Sequence, residues 1–522
     1  MRLITQRVHM NKCNCHEVRQ ITLDRDFNVP DARPDALSIM KEQGTVQIEE
    51  VRLMDGRAGI KGTLEFQLLY AVDGDMPVSE MQGSVSFEEM IPLSCADRDD
   101  ELTVNAAIDD LRSELINSRK LGLKAVITLE VSADTVSDGE GAVDIEDGEN
   151  ILCRKKTLDI SRLVFTGKDT LRVRDEWKLP GTKDAVGQIL YSEFCLGEIN
   201  TRMNENELQV DGQARVFLIY LSDGEEPEMN FYENTIPIEG TVECNGCDPG
   251  MIAQVTTGIH NRDVEIKEDE DGESRILDVE LVLEFAIKVY GQDQLELLTD
   301  FYSTTEKCQP LYEDSYFENL IVQNKSRIRI SGKISAEEGR VPLQIWNVSG
   351  ELRIDRKIQQ ENGVQVEGVV DVSVLYLTED SRIPLVSVKG SLPFSQFVAA
   401  DGLNEESNVW IKGTLEQISG SVTGDKEIEI KAVGAIDLIA FEKIEEPIIA
   451  DFSSEEIDWK VRSREPGIVG YVVQAGEELW DIAKRFFTTT DAIMSINQME
   501  SDILKEGDIL LILKEMAVQS PG

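Results

Sequence analysis

The residues of this chain best suited to metal or redox chemistry are its eight cysteines and three histidines. Cys244-Asn-Gly-Cys247 is one CxxC pair, and Cys13-Asn-Cys15-His16 would in principle complete four zinc ligands, because zinc prefers thiolate and imidazole donors. The CxxC falls in a turn after Ile238 and lacks the strand-then-helix setting of a redox motif, so ordinary free thiols are the expectation for Cys244 and Cys247. Asp269-Glu-Asp271-Gly272 offers oxygens in the manner of a calcium loop, but its flanks, Val264-Glu-Ile266 and Ile276-Leu-Asp-Val279, alternate as strands do, and a hairpin turn is the better reading. Nucleophilic catalysis finds no support. His9, His16 and His260 are the only histidines, no Gly-x-Ser-x-Gly elbow or Gly-x-x-x-x-Gly-Lys phosphate loop occurs, and among 99 carboxylates the closeness of any two means little. A non-enzymatic chain without metal or cofactor is expected.

The most specific pattern lies in the last fifty residues. Tyr471 and Val473 alternate with other residues as a short strand does, and Leu479, Ile482, Ala483 and Phe486 recur on one face of a helix. A second helix is predicted over 491–498 from Ile493, Ile496 and Asn497, with Thr490 as its N-cap, and Gly507 turns the chain into the strand Ile509–Leu513. The elements run strand, helix, helix, strand. Together with Gly476, Trp480 and Ile503 they resemble a LysM domain, a small βααβ module met in proteins that touch cell-wall glycans.

The resemblance implies a groove between Gly476-Glu477-Glu478-Leu479 and the residues Asn497, Gln498, Asp502 and Ile503. Glycan-binding members commonly carry Gly-Asp-Thr or Gly-Asp-Ser in the first loop, where a hydroxyl suits N-acetyl sugars. Glu478 replaces that hydroxyl here, and the module holds eight Asp and Glu against four Lys and Arg. A carboxylate set against a neutral acetamide loses the hydrogen-bond geometry, so a protein is the favoured ligand and peptidoglycan the alternative. Trp480 is the candidate anchor, with a core role as the plainer reading, and Ile468 just ahead of the strand extends the apolar surface or is an ordinary linker residue.

The body of the chain repeats with a period of about 150 residues. Gly62 precedes Tyr70, Gly212 precedes Tyr220 and Gly368 precedes Tyr376 by the same eight residues, and each tyrosine is followed by an acidic turn and a second apolar segment, Val85-Ser-Phe87, Ile236-Pro-Ile238 and Leu392-Pro-Phe394. Upstream, Asp26-Phe-Asn-Val-Pro30 matches Glu176-Trp-Lys-Leu-Pro180, whereas the third copy keeps only Val341-Pro342 with Ile345-Trp346 and reads as trimmed. Period-two alternation broken by Asp-Gly turns predicts three β-sandwich or barrel repeats over 1–155, 156–312 and 313–445. A linker over 446–466 and the LysM-like module at 467–514 complete the division. Acidic or turn-rich seams are expected at about 134–152, 302–318 and 444–466, the last letting the tail module move independently.

A net charge of −47 repels nucleic-acid phosphates and anionic lipid. No run of eighteen apolar residues occurs, and the first residues hold no seven-residue apolar core, so a cytoplasmic protein without membrane insertion is expected, with its cysteines as free thiols. Three β repeats followed by a LysM-like module resemble the SipL family of clostridial spore-coat morphogenesis proteins. That resemblance implies a mother-cell protein at the forespore surface, whose LysM module binds the coat scaffold ATPase of stage IV sporulation, with other coat proteins as further partners.

Overall fold

A computed structural model of the chain describes residues 1–72, 78–98, 100–146, 150–380, 382–404, 406–424, 426–457 and 466–513, and the side chains of 11–14 and 136–138 lie outside that description. The first unit consists of β1 (Arg2–Asn28), β2 (Ala36–Met54), β3 (Arg57–Val72), β4 (Val78–Pro92), β5 (Glu101–Asn117) and β6 (Lys120–Glu146). They form two three-stranded antiparallel sheets, β1-β6-β5 and β2-β3-β4. The second unit repeats the plan with β7 (Ile151–Lys178), β8 (Val186–Asn204), β9 (Glu207–Ser222), β10 (Met229–Glu243), β11 (Ile252–Lys267) and β12 (Ile276–Ser303). The third does so with β13 (Glu306–Ser335), β14 (Gln344–Gln360), β15 (Gly363–Leu377), β16 (Leu385–Ala399), β17 (Asn408–Thr423) and β18 (Glu427–Glu456). In each unit the two sheets face each other across one core, as Leu64 and Phe66 of β3 meet Ala125 and Ile127 of β6. The protein is mainly β, three tandem sandwiches followed by a βααβ module.

The shared glycines and tyrosines of the sequence have one structural cause each. Tyr70, Tyr220 and Tyr376 are buried, and their hydroxyls donate to the carbonyls of Pro34, Asp184 and Arg340, in each case 36 residues upstream, which ties the entry of the second strand to the third. Gly62, Gly212 and Gly368 lie opposite bulges in the neighbouring strand. A Cβ there would stand 2.7 Å from the carbonyl of Gln47, 2.6 Å from that of Glu198 and 2.1 Å from that of Arg353. Gly368→Ala should therefore lower stability by about 2 kcal/mol, read as a fall in the urea midpoint.

The middle strands β3, β9 and β15 change from alternation to a near-continuous apolar run at their ends, and both faces are used. Leu69 and Ala71 of β3, Phe217 and Ile219 of β9 and Leu375 of β15 turn away from their own sandwiches and form one cluster that joins all three units.

The longest strands depart from expectation. β1 with β6, β7 with β12 and β13 with β18 run beyond their sandwiches as two-stranded stems, and Val8, Leu158, Ile160, Leu297 and Phe317 pack the three stems together. The acidic seams at about 134–152, 302–318 and 444–466 are therefore largely strand, and residues 446–456 of the expected linker pair with β13, while 458–465 lie outside the described residues. Only alternate residues of each ribbon are buried between stems, and the solvent-facing half made the segments read as linkers. Nor is the third unit trimmed. It has all six strands, and Ala336 N donates to Lys426 O as Val29 N does to Arg119 O and Leu179 N to Arg275 O, with alanine disguising the match.

The cysteines also depart from expectation. Cys15 and Cys95 form a disulfide across a sequence separation of 80, because the sandwich brings β1 beside the turn after β4, a proximity that irregular spacing along the chain conceals. Cys244 and Cys247 are free and buried. Cys244 N donates to Asn206 O, as Leu93 N does to Gly56 O and Ala400 N to Asn362 O, so Cys244 takes a turn position that the other copies fill with plain apolar side chains. Burial pushes the Cys244 thiol up to about 11 and raises Cys247, the opposite of a reactive or metal-ready thiolate.

Candidate functional site

The tail module is built from β19 (Ile468–Val472), α1 (Leu479–Phe486), α2 (Thr490–Asn497) and β20 (Ile509–Leu513). β19 and β20 pair antiparallel, and Val473, Leu479, Ile482, Ala483, Ile493, Leu510 and Ile512 form the core. Thr489, one residue before the expected cap, accepts from Ala492 N at 3.0 Å. Gly476 and Gly507 both have positive φ, at 80° and 89°, which explains glycine at the two loops.

Several of the ten expected binding residues have internal duties. The Glu477 carboxylate accepts from Gln474 N at 2.9 Å and from the Tyr471 hydroxyl at 2.8 Å, and pairs with Arg485 at 2.9 Å, contacts that hold it below the usual carboxylate range. Asn497 bonds both backbone groups of Leu511, at 2.7 and 2.8 Å, fastening α2 to β20. Leu479 is buried in the core. Gly476, Glu478, Gln498, Asp502 and Ile503 are exposed, the last at 75%.

Trp480 is not on a free tip. Its ring packs edge-on against Tyr302 of β12, centroids 4.9 Å apart, and its Nε1 donates to Asp300 at 2.8 Å. Lys484 donates to the same Asp300 at 2.6 Å, Tyr302 donates to Thr488 O at 2.9 Å, and Arg154 of β7 pairs with Glu478 at 2.7 Å. The module thus rests on the tip of the second stem and does not hang clear of the β units, a correction that a linker reading of 446–466 could not anticipate.

The other side of the module is open. The register pairs Ile468 with Leu513, Gly470 with Leu511 and Val472 with Ile509, so these side chains share the face turned away from the helices. Ile468 is 58% and Ile509 75% exposed, and Val472, Leu511 and Leu513 lie between 42% and 49%. The structure puts Ile468 on this face and Trp480 in the helix-side cluster, so the two expected anchors do not share a surface. Val472, Ile509, Leu511 and Leu513 were missed by sequence reasoning, although five consecutive aliphatic residues over Ile509–Leu513 carried a signal, since a strand can bury only alternate ones.

A second concavity, of about 1500 Å³, lies where the three units meet. Its walls include Glu42, Glu193, Arg262, Arg353, Lys389 and Asp437. Of its lining residues, Ser373, Ser349 and Glu193 are reached by the buried Lys41 Nζ at 3.0, 3.4 and 3.7 Å, and Asn347 donates to Glu193. Burial raises Asp437 above the usual carboxylate range, against the pull of Lys325 and Lys412. A carboxyl raised on folding adds stability at low pH that is lost as pH rises through its folded value. Asp437→Asn should accordingly raise the melting temperature at neutral pH and weaken its increase on acidification. Among the described residues no group of three or more His, Cys, Asp or Glu is arranged to hold a metal ion, and no helix is long and apolar enough to cross a membrane.

Compared with known families, the SipL SPOCS domain matches residues 35–116, 185–267 and 343–423, and the LysM domain matches 471–513. Each SPOCS match covers the second to fifth strands of one unit and leaves its stem strands outside. No curated protein and no solved structure gave a match.

Proposed function

We propose, for a chain that belongs to the SipL family and carries three SPOCS domains ahead of a LysM domain, a non-enzymatic role in assembling the spore coat. Its domains are those of a sporulation-related protein with a binding module at the C-terminus. In this reading it works in the mother cell, at the forespore surface, and its LysM domain docks on a protein, the coat scaffold ATPase of stage IV sporulation. The observation that carries the protein-docking reading is the open apolar sheet face of Ile468, Val472, Ile509, Leu511 and Leu513, on a chain whose net charge otherwise keeps it apart from its own copies. Apolar patches of this kind suit a protein surface better than the hydroxyl-rich face of a glycan.

Peptidoglycan remains the alternative because it is the ligand LysM domains are known for. Glu478, paired with Arg154, stands against it. Calorimetry of the full chain against recombinant scaffold ATPase and against chitohexaose separates the two readings. Binding to the ATPase is expected, and the sugar should bind no tighter than about 1 mM, a free energy of about 4 kcal/mol. Tight sugar binding with no ATPase binding would reverse the assignment.

A further inference from the structure

Two of the residues by which the second stem meets the LysM domain have no counterpart on the other two stems. β12 has a bulge between Leu298 and Asp300, and β6 and β18 are bulged at the matching place, before Asp144 and before Asp451. All three stems thus carry an aspartate there. Opposite it stands Arg154 in the second stem, but Ile4 in the first and Leu311 in the third. Two residues on, Tyr302 of the second stem corresponds to Glu146 and Ser453. Tyr302 is 2% exposed and belongs to the LysM core cluster, together with Leu152. The arginine and the tyrosine, which touch Glu478 and Trp480, occur on one stem only.

We propose that this contact is an autoinhibitory latch, in which the second stem holds the first groove loop and helix α1 of the LysM domain closed, so that a protein partner engaging Glu478 or Trp480 must displace the stem. This inference deepens the protein-docking reading above and rests on it for the identity of the competitor. The contact is suited to opening. Arg154 and Glu478 are both half-exposed, as Lys484 is in part, and exposed ion pairs hold weakly one at a time. Covalent connection to β18 keeps the module at a high effective concentration beside the stem, which makes a weak contact persist until something competes for it. Opening would free the indole edge, the Lys484 ammonium and the Glu478 loop together, because one small contact holds all three. The outer sheet face stays accessible in the closed state and serves for first encounter.

The test uses the full chain and leaves the LysM sequence intact in its first variant. In Arg154→Glu, backbone hydrogen exchange over residues 479–488 should rise about tenfold, and the further change Glu478→Arg should restore protection by recreating the pair in reverse. Binding of recombinant scaffold ATPase should tighten in Arg154→Glu, whose LysM residues are all unchanged. Unchanged exchange in Arg154→Glu combined with Asp300→Ala, or failure of the reversed pair to restore protection, overturns the latch. So does equal ATPase affinity for wild-type and opened chains. If the ATPase binds neither, the partner assignment fails, while exchange and its restoration still decide whether the stem closes the domain.

Discussion

Lys41→Ala is expected to cost the fold about 3–5 kcal/mol, the loss typical of removing one partner from a buried ion pair. Lys41 and Glu193 come from different units and are almost fully buried where the three units meet. Without the ammonium, Glu193 is left buried with the Asn347 amide donating to it and no positive charge from Lys41. Lys41→Met with Glu193→Leu should recover most of the stability, since apolar replacement of both partners avoids burying a charge alone. Urea midpoints of the single and double variants check this, and a loss below about 1 kcal/mol for Lys41→Ala would mean that water reaches the pair. The three residues at this place are structural equivalents. Lys41 pairs with Leu69, Tyr191 with Ile219 and Asn347 with Leu375, at the same register of each unit. A lysine, a tyrosine and an asparagine thus distinguish otherwise similar units at their common contact.

Ile509→Asp combined with Leu511→Asp is expected to weaken binding of the scaffold ATPase by more than about a hundredfold, at about 2 kcal/mol or more for each anchor lost from an interface. Both side chains point to solvent from β20, while their neighbours Leu510 and Ile512 form the core, so melting should shift little. Thermal melts and calorimetry on the same protein separate docking from folding. Retained affinity with unchanged melting would remove the sheet face from the partner surface and leave the groove loops as the candidate.

The β architecture and the LysM elements were legible because they rest on local rules: alternation, the glycine-to-tyrosine spacing and the helical recurrence of Leu479, Ile482 and Ala483. Bulges opposite Gly62, Gly212 and Gly368 were not legible, although the glycines they require were. What escaped was long-range. Cys15 meeting Cys95, and Trp480 meeting Tyr302, depend on how strands far apart in sequence come to lie together. The stems were misread for a different reason. Lys155 pairs with Asp144 and Lys156 with Glu446 from one stem to the next, beside inner residues that pack stem on stem, and charge density alone cannot tell such a ribbon from a linker. At the candidate site, Glu477 and Asn497 were found by motif, but their task of bracing the loop and α2 follows only from their partners.

The pairing of β1 with β6 also sets a timetable for synthesis. Arg2 lies opposite Glu146, and Asn28 opposite Lys120, so the first strand of this unit lacks its ladder partner until the last strand of the unit leaves the ribosome. At about 5–20 residues per second that wait lasts roughly ten seconds, and the same delay recurs for β7 and β13. Closing so large a loop is slow even after all strands are present. During the wait the nascent chain carries an unpaired strand edge, and the charges along β1, among them Arg7, Arg19 and Arg25, are the kind of residue that discourages pairing with the wrong neighbour.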